Sequence, residues 1–337
     1  MNLLPNEEQG SVVEAIRGFL ADAAPVSRFR PPAPQIGNAD HLLLPRLAEM
    51  GFLGIALPET VGGAGMGIPE EVLACREFGR SLLTPAVLGV LLGAVLAADI
   101  DGELQRRLLA GAEPVGLATR AADAADDTGA CYLLEAVEAR WILLVDDACV
   151  ALLPKSAFNI AGQRRGTDAV VSLEAAMFGD IGDGPGIRRP GGPLFDRARL
   201  AVAAYALGLA EATRDMAVDY AKTRQQFGKP IGSFQAIKHL CAEMAIRAEA
   251  AHCQVTYASL VLAGQGGGDD FQSTAAKLVA VDAALQNAAK NIQVHGAIGF
   301  TAEADAHLFL KRAHLMDQLW GDTRRQRGYM LDARFPD

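Results

Sequence analysis

The chain has 337 residues, of which 50% are hydrophobic and only 6% aromatic, and its mean hydropathy is +0.16. This length and apolar content predict a globular protein of two or three domains, and the frequent Ala, Leu and Gly residues favour close-packed helices. The net charge of −9 and the isoelectric point near 5.2, without a basic stripe interleaved with aromatic residues, argue against nucleic acid as a partner.

Cysteine, histidine and N-terminal patterns exclude further classes of protein. The five cysteines form no CxxC pair and the six histidines show no HExxH spacing, so we predict reduced cysteines and no metal site. The first twenty residues carry acidic side chains where a secretory signal would be basic. The most apolar run, Val87 to Ala98, is about half of the ~20 residues that cross a bilayer, which indicates a buried helix. These patterns predict a cytoplasmic protein without a membrane span.

Apolar periodicity divides the chain into three regions. Residues 1–112 are predicted to form a helical domain, interrupted by a Gly-rich loop, PETVGGAGMG, that misses the spacing of a dinucleotide fingerprint. Residues 113–190 contain short β-branched runs such as WILLVDDACVALLP and are predicted to form a small β domain. Residues 191–337 return to a helical pattern, which predicts a bundle with helices at 199–224, 234–263, 271–295 and 302–319.

The segment between the first two helices of the bundle carries a candidate binding motif. Arg224 is predicted to close one helix, residues 227–230 form a stiff turn, and Ser233 is predicted to open the next helix. A planar guanidinium suits a pyrophosphate, while an aromatic face and a glycine permit close approach of a ring. Taken alone, the segment fits a surface arginine beside a helical hairpin equally well.

A second candidate lies at the end of the third helix of the bundle, in the string IQVHGAIGFTAE. Gln293, Gly296 and Gly299 are predicted to end this helix in a glycine-rich turn, where a side-chain amide and free backbone amides can reach a cofactor. The alternative is an ordinary helix C-cap.

Three stretches together resemble the acyl-CoA dehydrogenase family, in order and spacing, over nearly the whole chain. They are LAEMGFLGIALPETVGGAGMG with EVLACREFGRSL, then YAKTRQQFGKPIGSFQAIKHLCAEMA, then IQVHGAIGFTAE. The resemblance implies a mainly α fold with an N-terminal helical domain, a middle β-barrel-like domain and a C-terminal four-helix bundle. It also implies FAD as cofactor, with the following contact residues: Arg224, Phe227, Gln235, Gln293, Gly296, Ala297 and Thr323.

The resemblance further implies an oligomer, because the Gln293 turn of one subunit is expected to reach the FAD held around Arg224 of its neighbour. Ala297 stands where many relatives have a second glycine. The expected assembly is a homotetramer, or a heterotetramer with a related subunit.

Family enzymes oxidise an acyl-CoA thioester to the 2,3-enoyl form and pass electrons to an electron-transfer flavoprotein. Their base is a Glu in a Y-E-G-T string, where this chain has Trp-Gly-Asp-Thr at 320–323, so Gly321 takes the place of the base. The alternative position, used by a minority of relatives, is Ala198 here. Asp322 is the remaining candidate base, unless it only caps the turn.

The β region lacks the T-E-P-x-x-G-S-D and W-I-T-N strings that flank the flavin ring in the family, and a hairpin is expected to be missing between Thr128 and Ala139. Such losses resemble subunits of heterotetrameric bacterial steroid-CoA dehydrogenases, which suggests a bulky steroid-like CoA thioester as substrate. The leading hypothesis is a competent FAD-dependent acyl-CoA dehydrogenase. The alternatives are a non-catalytic partner subunit that completes the FAD site of a homologue, and a flavin oxidase or monooxygenase.

Overall fold

The structure, a computed structural model, describes residues 2–31, 40–121, 129–178 and 184–332. The described part of the N-terminal region contains five α-helices, which are α1 (Glu7–Ala23), α2 (Leu44–Glu49), α3 (Ile68–Arg80), α4 (Ala86–Ala97) and α5 (Gly102–Leu109). Helix α1 begins in a capping box, in which the Asn6 side chain accepts from the Gln9 N–H and the Gln9 side chain accepts from the Asn6 N–H.

Helix α4 contains the apolar run predicted to be a buried helix, and that prediction is confirmed. Eleven of its twelve residues are buried. A Cβ atom at Gly89 would lie 2.9 Å from the Val115 carbonyl oxygen, so this glycine permits the helix to lie directly against the first strand. Helix α4 thereby joins the N-terminal helices to the sheet. No helix among the described residues is long and apolar enough to cross a bilayer.

The middle region forms one mixed sheet of seven strands. They are β1 (Val115–Arg120), β2 (Ala130–Leu134), β3 (Trp141–Val145), β4 (Cys149–Pro154), β5 (Phe158–Arg164), β6 (Leu173–Phe178) and β7 (Ile187–Pro190). Their order is β5-β6-β2-β1-β3-β4-β7, and among these described strands only the β1–β3 pair is parallel. The described strands therefore form a sheet with β5 and β7 at its edges. Thr128, where the missing hairpin was expected to start, lies outside the described residues, and six residues connect β2 to β3.

The C-terminal region contains five helices and a short hairpin. They are α6 (Gly192–Thr223), β8 (Gln225–Gln226), β9 (Lys229–Pro230), α7 (Gln235–Leu260), α8 (Asp269–His295), α9 (Ala306–Gln318) and α10 (Thr323–Asp332). The four predicted helices are confirmed, but α6 begins seven residues earlier than expected and α10 was not predicted. Pro193 explains the early start of α6, because proline is tolerated in the first helical turn. Ser233 lies in a 3₁₀ turn before α7, and Phe234 is the N-cap instead.

A buried arginine joins the three regions. Arg312 of α9 is 1% exposed, and its Nε donates to Asp168 of the β5–β6 loop at 2.6 Å. Its Nη1 donates to the carbonyl oxygens of Leu82 and Leu83 and to the Tyr205 hydroxyl of α6. Although burial lowers the pKa of Arg312, these partners raise it above the ordinary value. The predicted domain boundaries fall after α5 and at the end of β7, and they stay predictions.

Candidate functional site

The end of α6 presents an arginine to solvent. Arg224 is the C-cap of α6, where its N–H donates to the Tyr220 carbonyl and its own carbonyl accepts from the Ile231 N–H, both at 2.8 Å. The backbone of this residue is therefore fixed on both sides. Its side chain is exposed, and it forms no ion pair with any residue that the structure describes. A fixed backbone with an unpaired guanidinium is suited to an anionic ligand.

The β8–β9 hairpin, which directly follows Arg224, presents an exposed aromatic ring. Phe227 and Gly228 form its turn, with φ of 51° and 75°. The Phe227 side chain is 90% exposed, and its ring makes an edge contact with Phe234, at 6.0 Å between centroids. A bulky residue with positive φ and an exposed apolar ring is unfavourable in an isolated chain, and such features concentrate at functional sites.

The turn after α8 lies beside the end of α6 in the same chain. The rings of Tyr220 and His295 are stacked, with 4.1 Å between centroids and 23° between planes. Val294 packs in one cluster with Ala217 and Ala221 of α6. Because α7 starts directly after the hairpin, the structure brings together the exposed residues Arg224, Phe227, Gln235, Gln293, Gly296 and Ala297. We call this surface, residues 220–235 with 293–297, the cofactor end.

The expected contact joins the Gln293 turn of one subunit to the FAD held around Arg224 of another, and the structure adds a contact between the two segments within one chain. Gly296 has a φ of 67°, and its N–H donates to the carbonyls of Ile292 and Gln293, so the turn is a formed helix C-cap. The two segments are neighbours within one chain. Whether the cofactor end also meets the site of a second subunit stays a prediction.

Thr323, the seventh predicted contact residue, does not lie at the cofactor end. The turn from Leu319 to Asp322, which we call the α9–α10 turn, rests on Lys277 of α8. Lys277 and Gln293 are sixteen residues apart on one helix, which corresponds to about 24 Å. Both the N–H and the hydroxyl of Thr323 donate to Asp317, at 3.0 and 2.6 Å. Within one chain, the cofactor end and the α9–α10 turn with Thr323 are therefore two separate places.

Asp322, the candidate base, is engaged as a helix cap. One of its carboxylate oxygens accepts from the Arg325 N–H at 2.9 Å, in the first turn of α10, and its carbonyl accepts from the Gln326 N–H. This is the geometry of an N-cap residue. The contacts of Asp322 are thus those of a helix cap, which was the alternative to a catalytic role. The catalytic role stays a prediction.

Neither position where relatives carry the catalytic Glu offers a carboxylate. Gly321 has a φ of 99°, and Ala198 is fully buried on α6. Asp196, two residues before Ala198, is paired with Arg199 and accepts from the Ser273 hydroxyl at 2.8 Å. Its carboxylate is thereby held inside the bundle.

The end of β1 lies in the region that corresponds to the missing flavin-flanking string. It is covered by another segment of the same chain. The Thr119 hydroxyl donates to the Gln318 carbonyl at 2.9 Å and lies 3.4 Å from the Trp320 N–H. Thr119 is 7% exposed and Trp320 is 3% exposed. The α9–α10 turn therefore closes directly on β1.

A charged cavity of about 450 Å³ lies between α10 and the sheet. Arg120 and Asp146, which both line this cavity, form an ion pair at 2.6 Å. A hydrogen bond with Asp146, together with burial, raises the pKa of Asp147 above its ordinary value. No local sequence pattern predicts these residues, nor Thr119 and Lys277, because each acquires its partner only through long-range packing.

The described residues include no group of three or more His, Cys, Asp or Glu side chains placed to hold a metal ion.

Comparison with known proteins assigns both helical regions. The acyl-CoA dehydrogenase N-terminal domain matches residues 6–110, and the acyl-CoA dehydrogenase C-terminal domain matches residues 184–333. Acyl-CoA dehydrogenase IpdE2 of Mycobacterium tuberculosis is 30% identical over 96% of this chain and 96% of its own length. Acyl-CoA dehydrogenase FadE34 of the same organism is 33% identical over 95% of this chain, which spans 47% of that protein.

Solved structures show the same fold. The ChsE4-ChsE5 complex from Mycobacterium tuberculosis has a chain that is 22% identical, with a TM-score of 0.83 and full coverage of both chains. Butyryl-CoA dehydrogenase from Megasphaera elsdenii is 21% identical, with a TM-score of 0.77, over 98% of this chain and 99% of its own. Because these matches cover both helical regions and nearly the full length of IpdE2, the chain belongs to the acyl-CoA dehydrogenase family.

Proposed function

We propose that this chain is the cofactor-holding subunit of an FAD-dependent acyl-CoA dehydrogenase, and that a related subunit supplies the catalytic base. The observation that carries the proposal is a contrast within one chain. The cofactor end is intact and exposed around Arg224, whereas Gly321 and Ala198 leave both base positions empty and Asp322 caps α10.

The residues at the cofactor end fit the adenosine and pyrophosphate parts of FAD. Arg224 would pair its guanidinium with the pyrophosphate, since a planar fork of N–H donors matches phosphate oxygens. Phe227 would offer an apolar face, and the exposed Gln293 amide can both donate and accept. Helix α7 has no side-chain cap at its N-terminus, so free N–H groups there also favour an anion.

Bound FAD would supply the hydride acceptor for the β hydrogen of the acyl chain, while a carboxylate removes the α proton and the 2,3 double bond forms. In this chain, Arg224 and Gln293 would bind and orient the cofactor. Phe227 and Gly228 would keep the hairpin close against it. The base would belong to the other subunit.

An exposed face of α7 supports an assembly of subunits. Its exposed side chains include the small or apolar Ala236, Ala242, Ala245 and Ile246, of which Ile246 is 69% exposed, interspersed with Lys238, His239 and Glu243. Such a face on a long helix is suited to close packing against another chain. The separation of the cofactor end from the α9–α10 turn supports the same conclusion, since a second chain would place a base near this cofactor end.

The partner and the substrate class follow by analogy. Among the solved structures with this fold, one is named a complex of ChsE4 with ChsE5 and another a Tcur3481-Tcur3483 steroid acyl-CoA dehydrogenase variant. We propose a heterotetramer with a related, base-bearing subunit, a steroid-like CoA thioester as substrate, and an electron-transfer flavoprotein as acceptor. A homotetramer that uses Asp322 as its own base is the second candidate, and the partial exposure of Asp322 favours it.

The test is flavin retention by Arg224→Ala. Loss of a charge-assisted contact to phosphate costs roughly 1.5 to 3 kcal/mol, which corresponds to about 10- to 150-fold weaker FAD binding. The matched control is Arg164→Ala, an exposed arginine of β5. Flavin absorbance per chain and native mass are measured for the chain alone and after co-expression with a homologue that carries Glu at either base position. Full FAD retention by Arg224→Ala would exclude this end as the cofactor site.

A further inference from the structure

A lysine is buried beneath the α9–α10 turn. Lys277 of α8 is 1% exposed, and its ammonium donates to the carbonyl oxygens of Leu319 at 2.5 Å and Gly321 at 2.6 Å. Burial lowers its pKa to about 7, against the raising effect of the Asp317 and Asp322 carboxylates. A buried ammonium is costly unless it is well bonded, so these two carbonyls are its compensation.

The turn above Lys277 has an unfavourable backbone conformation. Trp320 has a φ of 58° and Gly321 a φ of 99°. A left-handed conformation is unfavourable for a non-glycine residue, so the surrounding structure must hold Trp320 there. The Gln326 amide donates to the carbonyls of Trp320 and Gly321, each at 3.2 Å. Two buried side chains thus bind three successive carbonyls.

We infer that Lys277 is a positioning residue, which holds the α9–α10 turn closed on β1 and keeps the Asp322 carboxylate on the N-terminus of α10. A series of adjacent contacts connects the Lys277 ammonium to the Asp322 cap. Lys277 fixes the carbonyls on both sides of Trp320, Trp320 then lies against Thr119, and Asp322 follows directly at the start of α10. Release of the turn would free Asp322.

This inference concerns the turn where relatives carry their base, but it does not depend on FAD or on turnover. The two tryptophans of the chain are Trp141 and Trp320, so Trp141→Phe leaves Trp320 as the single fluorescent reporter of the turn. In that background, Lys277→Met removes the ammonium and keeps an unbranched apolar side chain. Lys290→Met, the same change near the other end of α8, is the matched control.

Two measurements read the turn directly. Amide hydrogen exchange over residues 319–326 is expected to accelerate by at least about tenfold in Lys277→Met, because two buried carbonyls lose their donor. Quenching of Trp320 by acrylamide is expected to increase in parallel, while exchange in the C-terminal half of α8 stays as in the parent. Lys290→Met is expected to change neither signal.

A second variant keeps the test decisive if Lys277→Met does not fold. Lys277→Gln retains amide N–H donors, and its exchange over residues 319–326 is expected to be faster than in the parent by less than tenfold, with the C-terminal half of α8 unchanged; exchange over residues 319–326 equal to that of the parent would overturn the inference. Parent-like exchange and quenching in Lys277→Met, or equal acceleration along the whole of α8, would overturn the inference. The proposed function fails separately, through FAD retention by Arg224→Ala, so the two outcomes are distinguishable.

Discussion

Replacing Asp322 by two different residues separates a helix cap from a catalytic base. Asp322→Ala removes the acceptor for the Arg325 N–H, which lies 2.9 Å from the carboxylate. Asp322→Asn keeps an acceptor oxygen at the same place and removes the charge. A base needs a carboxylate, whereas an N-cap functions equally well with an amide oxygen.

The magnitudes follow from this single contact. Loss of an N-cap acceptor costs about 1 kcal/mol, so Asp322→Ala should lower the free energy of unfolding by that amount. In Asp322→Asn the bond remains and only the attraction of the charge to the N-terminus of α10 is lost, which is about 0.5 kcal/mol. If Asp322 is the base, both variants should instead lose about 10²- to 10⁴-fold in turnover with FAD still bound.

Urea unfolding and acyl-CoA turnover are measured for both variants, with the parent and Asp282→Ala as controls. Asp282 is an exposed acid within α8, so its removal reports the effect of a lost charge without a lost cap. The capping role predicts that Asp322→Ala unfolds more easily than Asp322→Asn, and that turnover by the assembled enzyme is unchanged in both. Loss of turnover in Asp322→Asn, with FAD retained and stability close to the parent, would refute the capping argument and assign the base to this chain.

Three further predictions concern the cofactor end, the buried lysine and the buried arginine. Tyr220→Ala should weaken FAD binding by roughly 2- to 10-fold through loss of the stack on His295, whereas Tyr220→Phe should retain it, as measured by flavin titration. The free energy of unfolding should rise with pH between about 7 and 10.5 by about 1.4 kcal/mol per pH unit from Lys277 alone, because the unfolded lysine holds a proton that the folded lysine has lost. Below pH 7 both states hold the proton and this slope vanishes, so urea unfolding at several pH values should show a slope that Lys277→Met lacks. Arg312→Met should destabilise the fold by about 3 to 5 kcal/mol, because it leaves the buried Asp168 carboxylate without its partner.

Each of these has a result that contradicts it. Equal FAD affinity of Tyr220→Ala and Tyr220→Phe would show that the stack does not position the cofactor end. Parallel pH profiles for the parent and Lys277→Met would mean that Lys277 keeps an ordinary pKa in the folded chain. For the arginine, the double variant Arg312→Met with Asp168→Asn should recover part of the lost stability, and no recovery would show that the charge of Asp168 is not the cause.

The sequence by itself determined four helices of the C-terminal region and predicted the residues of the cofactor end. Helices α7 and α8 follow from a 3.6-residue apolar period and from glycines at their ends, which are local signals. Arg224 and Gln293 were predicted as FAD contacts because the motifs that contain them are continuous in sequence and resemble those of the family, and this role stays a prediction. Helix α10 carries no comparable local signal, since it is short and polar and packs against distant parts of the chain, namely α8 and, through Tyr329, Phe195 of α6.

Only the tertiary structure decided what the remaining groups do. The sequence places Lys277 in an alanine-rich helix but does not reveal the two carbonyls, more than forty residues away, that it binds. It offers Asp322 as a base or as a cap, and the start of α10 directly after it determines its hydrogen bond. Likewise, Tyr220 and His295 are far apart along the chain and meet because α6 and α8 end side by side. Local patterns specify helices and motifs, whereas the partner of a buried polar group is fixed by which elements pack together.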